Sequence, residues 1–476
     1  MQNGLAAWEQ TAEQLHVKLS DEYFKLETGL AYSKAKISSL ERLSRQHAEL
    51  FLQNFSAPRK LYLDCIATIA KAKTHNSLLR LHELRKEKIC VKKIKFNNAP
   101  VCWTSWRTFA AQASDYERKT VFDSFINKVK FITPEITKYF DVSRKIYSKY
   151  DINPLQVYLE DHNISAETLR DILCKLGNGT KDKFKTEFRK YTKKFLGRTP
   201  QYYDDFYFMR NIVFKDLEEG FHVDAKQSVL KSLLELGFNP HIIKVDSVDR
   251  AQKFPSPFCS FVKIPDDIRV SYKMENPLNT AIALYHEFGH AAHAITINPQ
   301  LPYHKKYVLS EGLTETFSIF LENLLSDENY LVQVLELPQN YAQELVKRIR
   351  FTEHYAIVFY VANSFLKIDQ WEKNLTAKQM NEAYAQYLKE WTGLDVPGQY
   401  WQLHHILPES LMYVPSYLLA MARAHEITEL LKKECGKWWW ANKRAGDELR
   451  TVMMQGADSK VGDFQTLDID SYLRPL

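Results

Sequence analysis

The chain has 476 residues, of which 45% are apolar and 26% charged, and its formal net charge is +6. These values are ordinary for a soluble globular protein, and the charge is too small for the length to indicate a nucleic-acid or membrane partner. Glycine (15) and proline (17) are scarce, which disfavours a loop-rich all-β architecture and favours long helices.

The amino-terminal half reads as a series of helices. Apolar residues recur at helical spacing over residues 6–72, 116–147 and 166–176, and the last segment begins after Ser165, a good N-cap. Segments 204–221 and 224–236 continue the pattern. Lysine-rich runs at 86–95 and 181–194 are interpreted as solvated helix faces.

Residues 256–273 differ from their surroundings. Two β-prone runs flank Pro265, Asp266 and Asp267, which predicts a small hairpin. The chain then returns to helix until its end. We therefore predict a mostly α fold, one large helical body with one small antiparallel sheet, with residues 1–240 as an amino-terminal lobe and 241–476 as the catalytic region.

No targeting segment, membrane span or cysteine motif is evident in the sequence. The first residues carry no basic segment followed by an apolar run, and no stretch approaches the roughly 20 apolar residues that cross a bilayer. Six well-separated cysteines form no CxxC pair, so neither a zinc knuckle nor a disulfide framework is indicated. We expect a cytoplasmic protein, and a monomer by default.

The segment NPLNTAIALYHEFGHAAHAITINP, residues 276–299, carries the chemistry. Asn276 can cap a helix and Pro277 suits its first turn. His286 and His290 are four residues apart, so both imidazoles project from one helix face and can share one ion. Glu287 lies beside them, where it can act on water as a general base. This HExxH arrangement is the one used for zinc-assisted peptide hydrolysis.

Zinc of this type needs a third protein ligand. Glu311, Glu315 and Glu322 in LSEGLTETFSIFLENLLSD are the candidates. Glu311 and Glu315 share a helix face, so one can bind the metal while the other supports it. Composition does not choose between them.

The segment HEFGHAAH, followed after 24 residues by Glu315 in ETFSIFLE, resembles the thimet oligopeptidase / oligoendopeptidase F family. Glu315, Ser318 and Glu322 fit the family's ExxSxxxE-like helix. The resemblance covers most of the chain: it is strong from about Phe254 to the end, including residues 255–273, 411–427 and 435–456, and weak before that, as at residues 21–40. The resemblance implies that Glu315 is the third ligand, with Glu311 as the runner-up, and that His293 supports or packs.

The same resemblance implies a two-lobed helical body with a deep central channel, one Zn²⁺ on its floor, and short peptides as substrates. The sheet before the metal helix would lie along the bound peptide. The family's oxyanion donors are a histidine and tyrosines, which here correspond to His405, Tyr413 and Tyr417, with His404 as the alternative histidine. The glycine-rich stretch that often follows the histidine is replaced by Ile406–Ser410, a departure that affects this loop.

The predicted function is therefore a zinc-dependent oligopeptidase that cuts internal bonds of short peptides. Metal binding by His286, His290 and Glu315, base catalysis by Glu287, and oxyanion binding by His405 or Tyr417 form the hypothesis. Two alternatives remain: a zinc carboxypeptidase of the carboxypeptidase Taq type, and a non-catalytic helical peptide-binding protein.

Overall fold

A computed structural model describes residues 2–274, 276–404 and 406–475. Its α-helices are α1 Gln2–Thr28, α2 Lys34–Asn54, α3 Arg59–Lys88, α4 Trp106–Gln112, α5 Asp115–Lys128, α6 Thr133–Tyr147, α7 Pro154–Asp161, α8 Ala166–Leu196, α9 Ala225–Glu235, α10 Pro277–Thr296, α11 Tyr303–Tyr307, α12 Glu311–Glu322, α13 Glu328–Gln333, α14 Gln339–Glu372, α15 Ala377–Thr392, α16 Ile406–Glu409, α17 Val414–Cys435, α18 Lys443–Met453 and α19 Ile469–Leu473. The strands are β1 Cys90–Phe96, β2 Ala99–Cys102, β3 Lys244–Asp246, β4 Phe258–Lys263 and β5 Asp267–Ser271. The mostly helical fold class is confirmed.

Local signals explain where several helices begin and end. Ser165 caps α8 by accepting the Thr168 N–H at 3.0 Å, and the helix stops at Gly197, whose φ of +69° suits glycine. Asp224 caps α9 in the same way. The helix predicted over 204–221 is wrong, because this segment holds only a π-helical turn at Phe208–Ile212 and a short 3₁₀ turn.

Residues 90–102 form a β-hairpin that the sequence did not indicate. β1 and β2 pair antiparallel, and Cys90 lies opposite Cys102, where the two form a disulfide bond. The expectation of no disulfide is therefore wrong at this pair, because the hairpin register places the two cysteines side by side. The lysine run at 86–95 spans the end of α3 and β1, so it is not a single helix face.

The predicted hairpin at 256–273 is confirmed as β4 and β5. A third strand, β3, joins the sheet parallel to β5, giving the order β3-β5-β4, so the sheet is mixed rather than purely antiparallel. β4 is an edge strand. One face of the sheet packs against α10, and α1 crosses β4.

A single large hydrophobic core contains buried residues from Leu81 to Tyr472 and so crosses the predicted boundary at residue 240, which stays a prediction. A smaller core lies beneath α1, α2 and α3. Between these three helices and the segment around Tyr413 lies a cavity of about 570 Å³. Within the described ranges, no helix is long and apolar enough to cross a bilayer.

Candidate metal centre

α10 presents the two histidines of the HExxH motif on one face. Asn276 caps this helix by accepting the Asn279 N–H at 2.7 Å, and Pro277 occupies its first turn, as predicted. The rings of His286 and His290 lie 5.0 Å apart, and both side chains are only partly exposed, at 21% and 14%. The helix thus directs two imidazoles toward one small volume.

Glu315 enters the same volume from α12. Its carboxylate lies 3.3 Å from Nε2 of His286 and 3.8 Å from Nε2 of His290. α12 can approach α10 this closely because Gly289 has no side chain: a Cβ there would lie 2.4 Å from the carbonyl oxygen of Phe317. The glycine within HEFGH therefore sets the position of the third predicted ligand.

Three further side chains hold these groups in place. Glu322 accepts a hydrogen bond from Nδ1 of His286 at 2.8 Å, which leaves Nε2 facing Glu315. Ser318 donates to Glu315 at 2.9 Å, and the Tyr413 hydroxyl donates to the other Glu315 oxygen. The metal group is therefore held by all three residues of the predicted ExxSxxxE-like helix, Glu315, Ser318 and Glu322.

The electrostatics suit a divalent cation. Burial disfavours the Glu315 charge, but His290 and His286 outweigh it and lower the pKa of this carboxyl to about 2. Burial lowers the pKa of His290 to about 4, so its imidazole is neutral. Burial also opposes protonation of His286, yet Glu315 and Glu322 raise its pKa well above the usual value. A metal ion here would take the place of that proton.

Two imidazoles and a carboxylate fit zinc. Their ligand atoms lie within 4.8 Å of one another, and they are the sole such group of histidine, cysteine and acidic side chains in the described part of the chain. This donor set is the one that catalytic zinc sites use while keeping one position open. The residues present therefore match the metal that the sequence predicted.

Glu287 lies next to this group without joining it. The backbone of Cys259, on β4, favours the charged form of the Glu287 carboxylate. Burial raises the pKa of Glu287 to about 7. A carboxylate with a pKa near neutrality is suited to accept and return a proton.

The predicted tyrosines lie beside the ligands. Tyr413 precedes α17 and Tyr417 lies in its first turn, with ring centroids 5.2 Å apart. Tyr417 also stacks on Tyr360 of α14 at 5.0 Å. The fields of Glu315 and Glu287 both act on the Tyr417 hydroxyl, whose pKa is raised, first of all by burial.

The remaining predicted residues lie elsewhere. His405 falls outside the described residues. His404 is buried, with its ring centroid 5.4 Å from Phe206 and 5.1 Å from Phe359. His293 is fully buried against Phe317, as expected for a packing residue.

Glu311, the runner-up ligand, does not reach the metal group. It begins α12 and lines the 570 Å³ cavity, with its carboxylate 4.0 Å from Nε2 of His162. Glu315 lies one helical turn further along the same face of α12, so it reaches His286 and His290, whereas Glu311 is not part of the ligand cluster.

Three residues around the metal group could not be predicted from the sequence. Tyr360 stacks on Tyr417, the Cys259 backbone favours the charged form of Glu287, and His16 contacts β4 from α1. Each acts through a long-range contact that no local spacing indicates.

Comparison with known proteins agrees with this site. The family model described as carboxypeptidase Taq (M32) metallopeptidase matches residues 209–374, a segment that contains α10, α12 and all three candidate ligands. No curated protein matches the chain. The structure of Trypanosoma cruzi metallocarboxypeptidase 1 is similar, with a TM-score of 0.58 and 14% identity over 99% of this chain and 98% of that chain.

Fold, site and family match together support a metallopeptidase of the class that combines HExxH with a downstream glutamate. The matched family is the carboxypeptidase Taq type. The predicted resemblance to the thimet oligopeptidase / oligoendopeptidase F family is thus supported at the level of zinc metallopeptidases and not at the level of that particular family.

Proposed function

We propose that this protein is a zinc carboxypeptidase that removes single residues from the carboxyl end of peptides. The observation that carries the proposal is that the matched carboxypeptidase Taq segment contains Glu287 together with the clustered side chains of His286, His290 and Glu315. The likeness to a metallocarboxypeptidase along nearly the whole chain supports the same fold.

In this proposal His286, His290 and Glu315 hold Zn²⁺. When bound, the metal supplies a Lewis acid that polarises water and the scissile carbonyl. Glu287 accepts the proton of the attacking water and returns it to the leaving amine, for which its pKa of about 7 is well suited. The Tyr417 hydroxyl donates a hydrogen bond to the carbonyl oxygen as negative charge develops there.

Tyr413 has a different role from Tyr417. Its hydroxyl donates to Glu315, so it orients this carboxylate. Among the described residues Tyr417 makes no such bond to a predicted ligand; its ring stacks on Tyr360 and meets Tyr413 edge to face. We therefore assign oxyanion binding to Tyr417, while the predicted contribution of His405 stays a prediction.

A carboxypeptidase must also recognise a free terminal carboxylate, which calls for a cation near the site. Two arginines act electrostatically on residues around the centre: Arg210 on Tyr360, and Arg350 on Glu353. Both are exposed, and neither has an ion-pair partner within the described ranges. We propose that one of them binds the substrate carboxylate.

The test uses two peptides of the same sequence, acetylated at the amino end and ending in either a free carboxylate or an amide. Mass spectrometry of the zinc-loaded protein should show stepwise loss of single carboxyl-terminal residues from the free peptide and none from the amide. Equal internal cleavage of both peptides would instead support the oligopeptidase hypothesis. Tight binding without hydrolysis of either peptide would support the peptide-binding hypothesis.

The arginines provide a second arm of this test. Arg210→Gln and Arg350→Gln serve as controls for each other. The variant that lacks the carboxylate-binding arginine should raise KM for the free peptide, while the other variant leaves KM unchanged. Unchanged KM in both variants would contradict the assignment.

A further inference from the structure

Side chains from other elements already bond the backbone at Phe261 of β4 and at Ile264, the residue that follows the strand. Nε2 of His16, on α1, donates a hydrogen bond to the carbonyl oxygen of Phe261 at 2.8 Å. The Tyr307 hydroxyl oxygen accepts the N–H of Ile264 at 3.0 Å. The two capping rings contact each other, with centroids 4.4 Å apart.

These bonds show which backbone groups face away from β5. The carbonyl of Phe261 bonds His16, so residue 261 directs its polar groups outward. Cys259, two residues earlier in the same ladder, does the same, and its backbone favours the charged form of Glu287. In an antiparallel ladder such residues alternate with those that bond the inner neighbour. Two outward groups therefore remain between the catalytic base and the cap: the Cys259 carbonyl and the Phe261 N–H.

These two groups lie beside the metal centre, because the Phe261 ring is 6.5 Å from that of His290. An extended peptide can bind an exposed sheet edge as an added strand. In antiparallel register, the Cys259 carbonyl would accept the N–H of the residue after the scissile bond, called P1′. The Phe261 N–H would then donate to the carbonyl of P2, the second residue before that bond.

We propose that His16 and Tyr307 are specificity-determining residues that restrict backbone recognition to the P2 carbonyl and the P1′ N–H. His16 takes the acceptor that would otherwise bind the P2 N–H, and Tyr307 takes the N–H of Ile264, just past the end of β4. A peptide with more residues must leave β4 beyond P2 and enter the 570 Å³ cavity, which His16 and Tyr307 also line. This inference rests on the proposed function and specifies its substrates.

One consequence is that the P2 nitrogen needs no hydrogen. Peptides with an N-methylated residue at P2 should bind as well as their unmethylated counterparts, because the partner that this N–H would need is already bonded to His16. A protein with a free Phe261 carbonyl would instead bind the unmethylated peptide more tightly than the N-methylated one, since one hydrogen bond contributes about two- to tenfold in affinity.

The test measures binding, so it does not depend on turnover. Zinc-loaded Glu287→Gln protein is titrated with labelled acetyl-Phe-Gly-Ala-Phe and with the peptide carrying sarcosine in place of glycine, which is the P2 residue when the terminal Phe is P1′. We expect Kd values within about threefold. Adding His16→Phe, which preserves a ring in contact with Tyr307, should favour glycine over sarcosine by about fivefold or more.

His47→Phe is the matched control, because His47 lines the same cavity but bonds the Trp8 carbonyl instead of β4. It should leave the ratio of the two Kd values unchanged. The inference would be overturned if protein with His16 intact bound the glycine peptide fivefold more tightly than the sarcosine peptide. It would also be overturned if His16→Phe left the ratio of the two Kd values unchanged. Failure of carboxyl-terminal release in the separate turnover assay would refute the proposed function and leave this binding comparison intact.

Discussion

Gly289→Ala is predicted to weaken zinc binding although it changes no ligand. The new Cβ would lie 2.4 Å from the Phe317 carbonyl oxygen, whereas ordinary contact begins at about 3.4 Å, so α12 must move by about 3.4 − 2.4 = 1.0 Å. Overpacking of this kind costs about 1–3 kcal/mol. Glu315 is two residues from Phe317 and moves with it, while metal–ligand distances tolerate only about 0.2 Å.

We therefore expect zinc affinity to fall by about 10–100-fold or more, the scale seen when groups that orient ligands are disturbed. Competition with a chelator of known affinity measures this, and urea unfolding of the zinc-free protein measures the packing cost. Gly462→Ala is the control, because its new Cβ would also contact α12, at Leu313, but at an ordinary distance of 3.5 Å. Zinc affinity within threefold of the parent in Gly289→Ala would show that Gly289 does not set the position of Glu315.

Three further predictions follow from the same structure. Glu315→Gln should reduce zinc affinity more than 100-fold, whereas Glu311→Gln should leave it within threefold, because only the Glu315 carboxylate reaches the histidines. Tyr417→Phe should lower kcat by about 10²–10³ with little change in zinc content, the scale for losing an oxyanion donor. Burial lowers the pKa of His162 to about 3, from the usual 6.5, so the unfolded chain binds the extra proton between these values. The free energy of unfolding should therefore fall as the pH drops below 6.5, by about 1.4 kcal/mol per pH unit from this group, and His162→Gln should remove that slope.

Each of these has its own contradicting result. Equal zinc loss in the two glutamate variants would mean that Glu311 also binds the metal. Tyr360→Phe serves as the stacking control for Tyr417, and an equal effect of both would reduce Tyr417 to a packing residue. For His162, urea titrations of zinc-free protein at pH 4.5, 5.5 and 6.5 give the slope, and an identical slope in the variant would refute the assignment.

The metal helix could be predicted from sequence because its determinants are local. The Asn276 cap, Pro277 and the four-residue histidine spacing all lie within one helix, and the structure has each of them. The choice of Glu315 over Glu311 was not local. It depends on how α12 packs at Gly289, which spacing does not show, and only the family resemblance favoured Glu315.

Other features could not be predicted from the sequence because they also depend on contacts between distant segments. The Cys90–Cys102 disulfide depends on hairpin register, and the third strand depends on Lys244–Asp246 joining β5 from a distance. The contact of His16 with Phe261 links residues 245 positions apart. The choice between internal and terminal cleavage depends on what surrounds the end of the bound peptide, which the HExxH motif does not indicate.

The most direct measurement compares the native protein with Glu287→Gln at equal, measured zinc content, using a peptide of about ten residues with a free carboxylate. We predict one zinc per chain in both proteins, release of the terminal residue by the native protein alone, and loss of that release on chelation. Release by zinc-loaded Glu287→Gln at a rate near that of the native protein would contradict the role of Glu287 as general base.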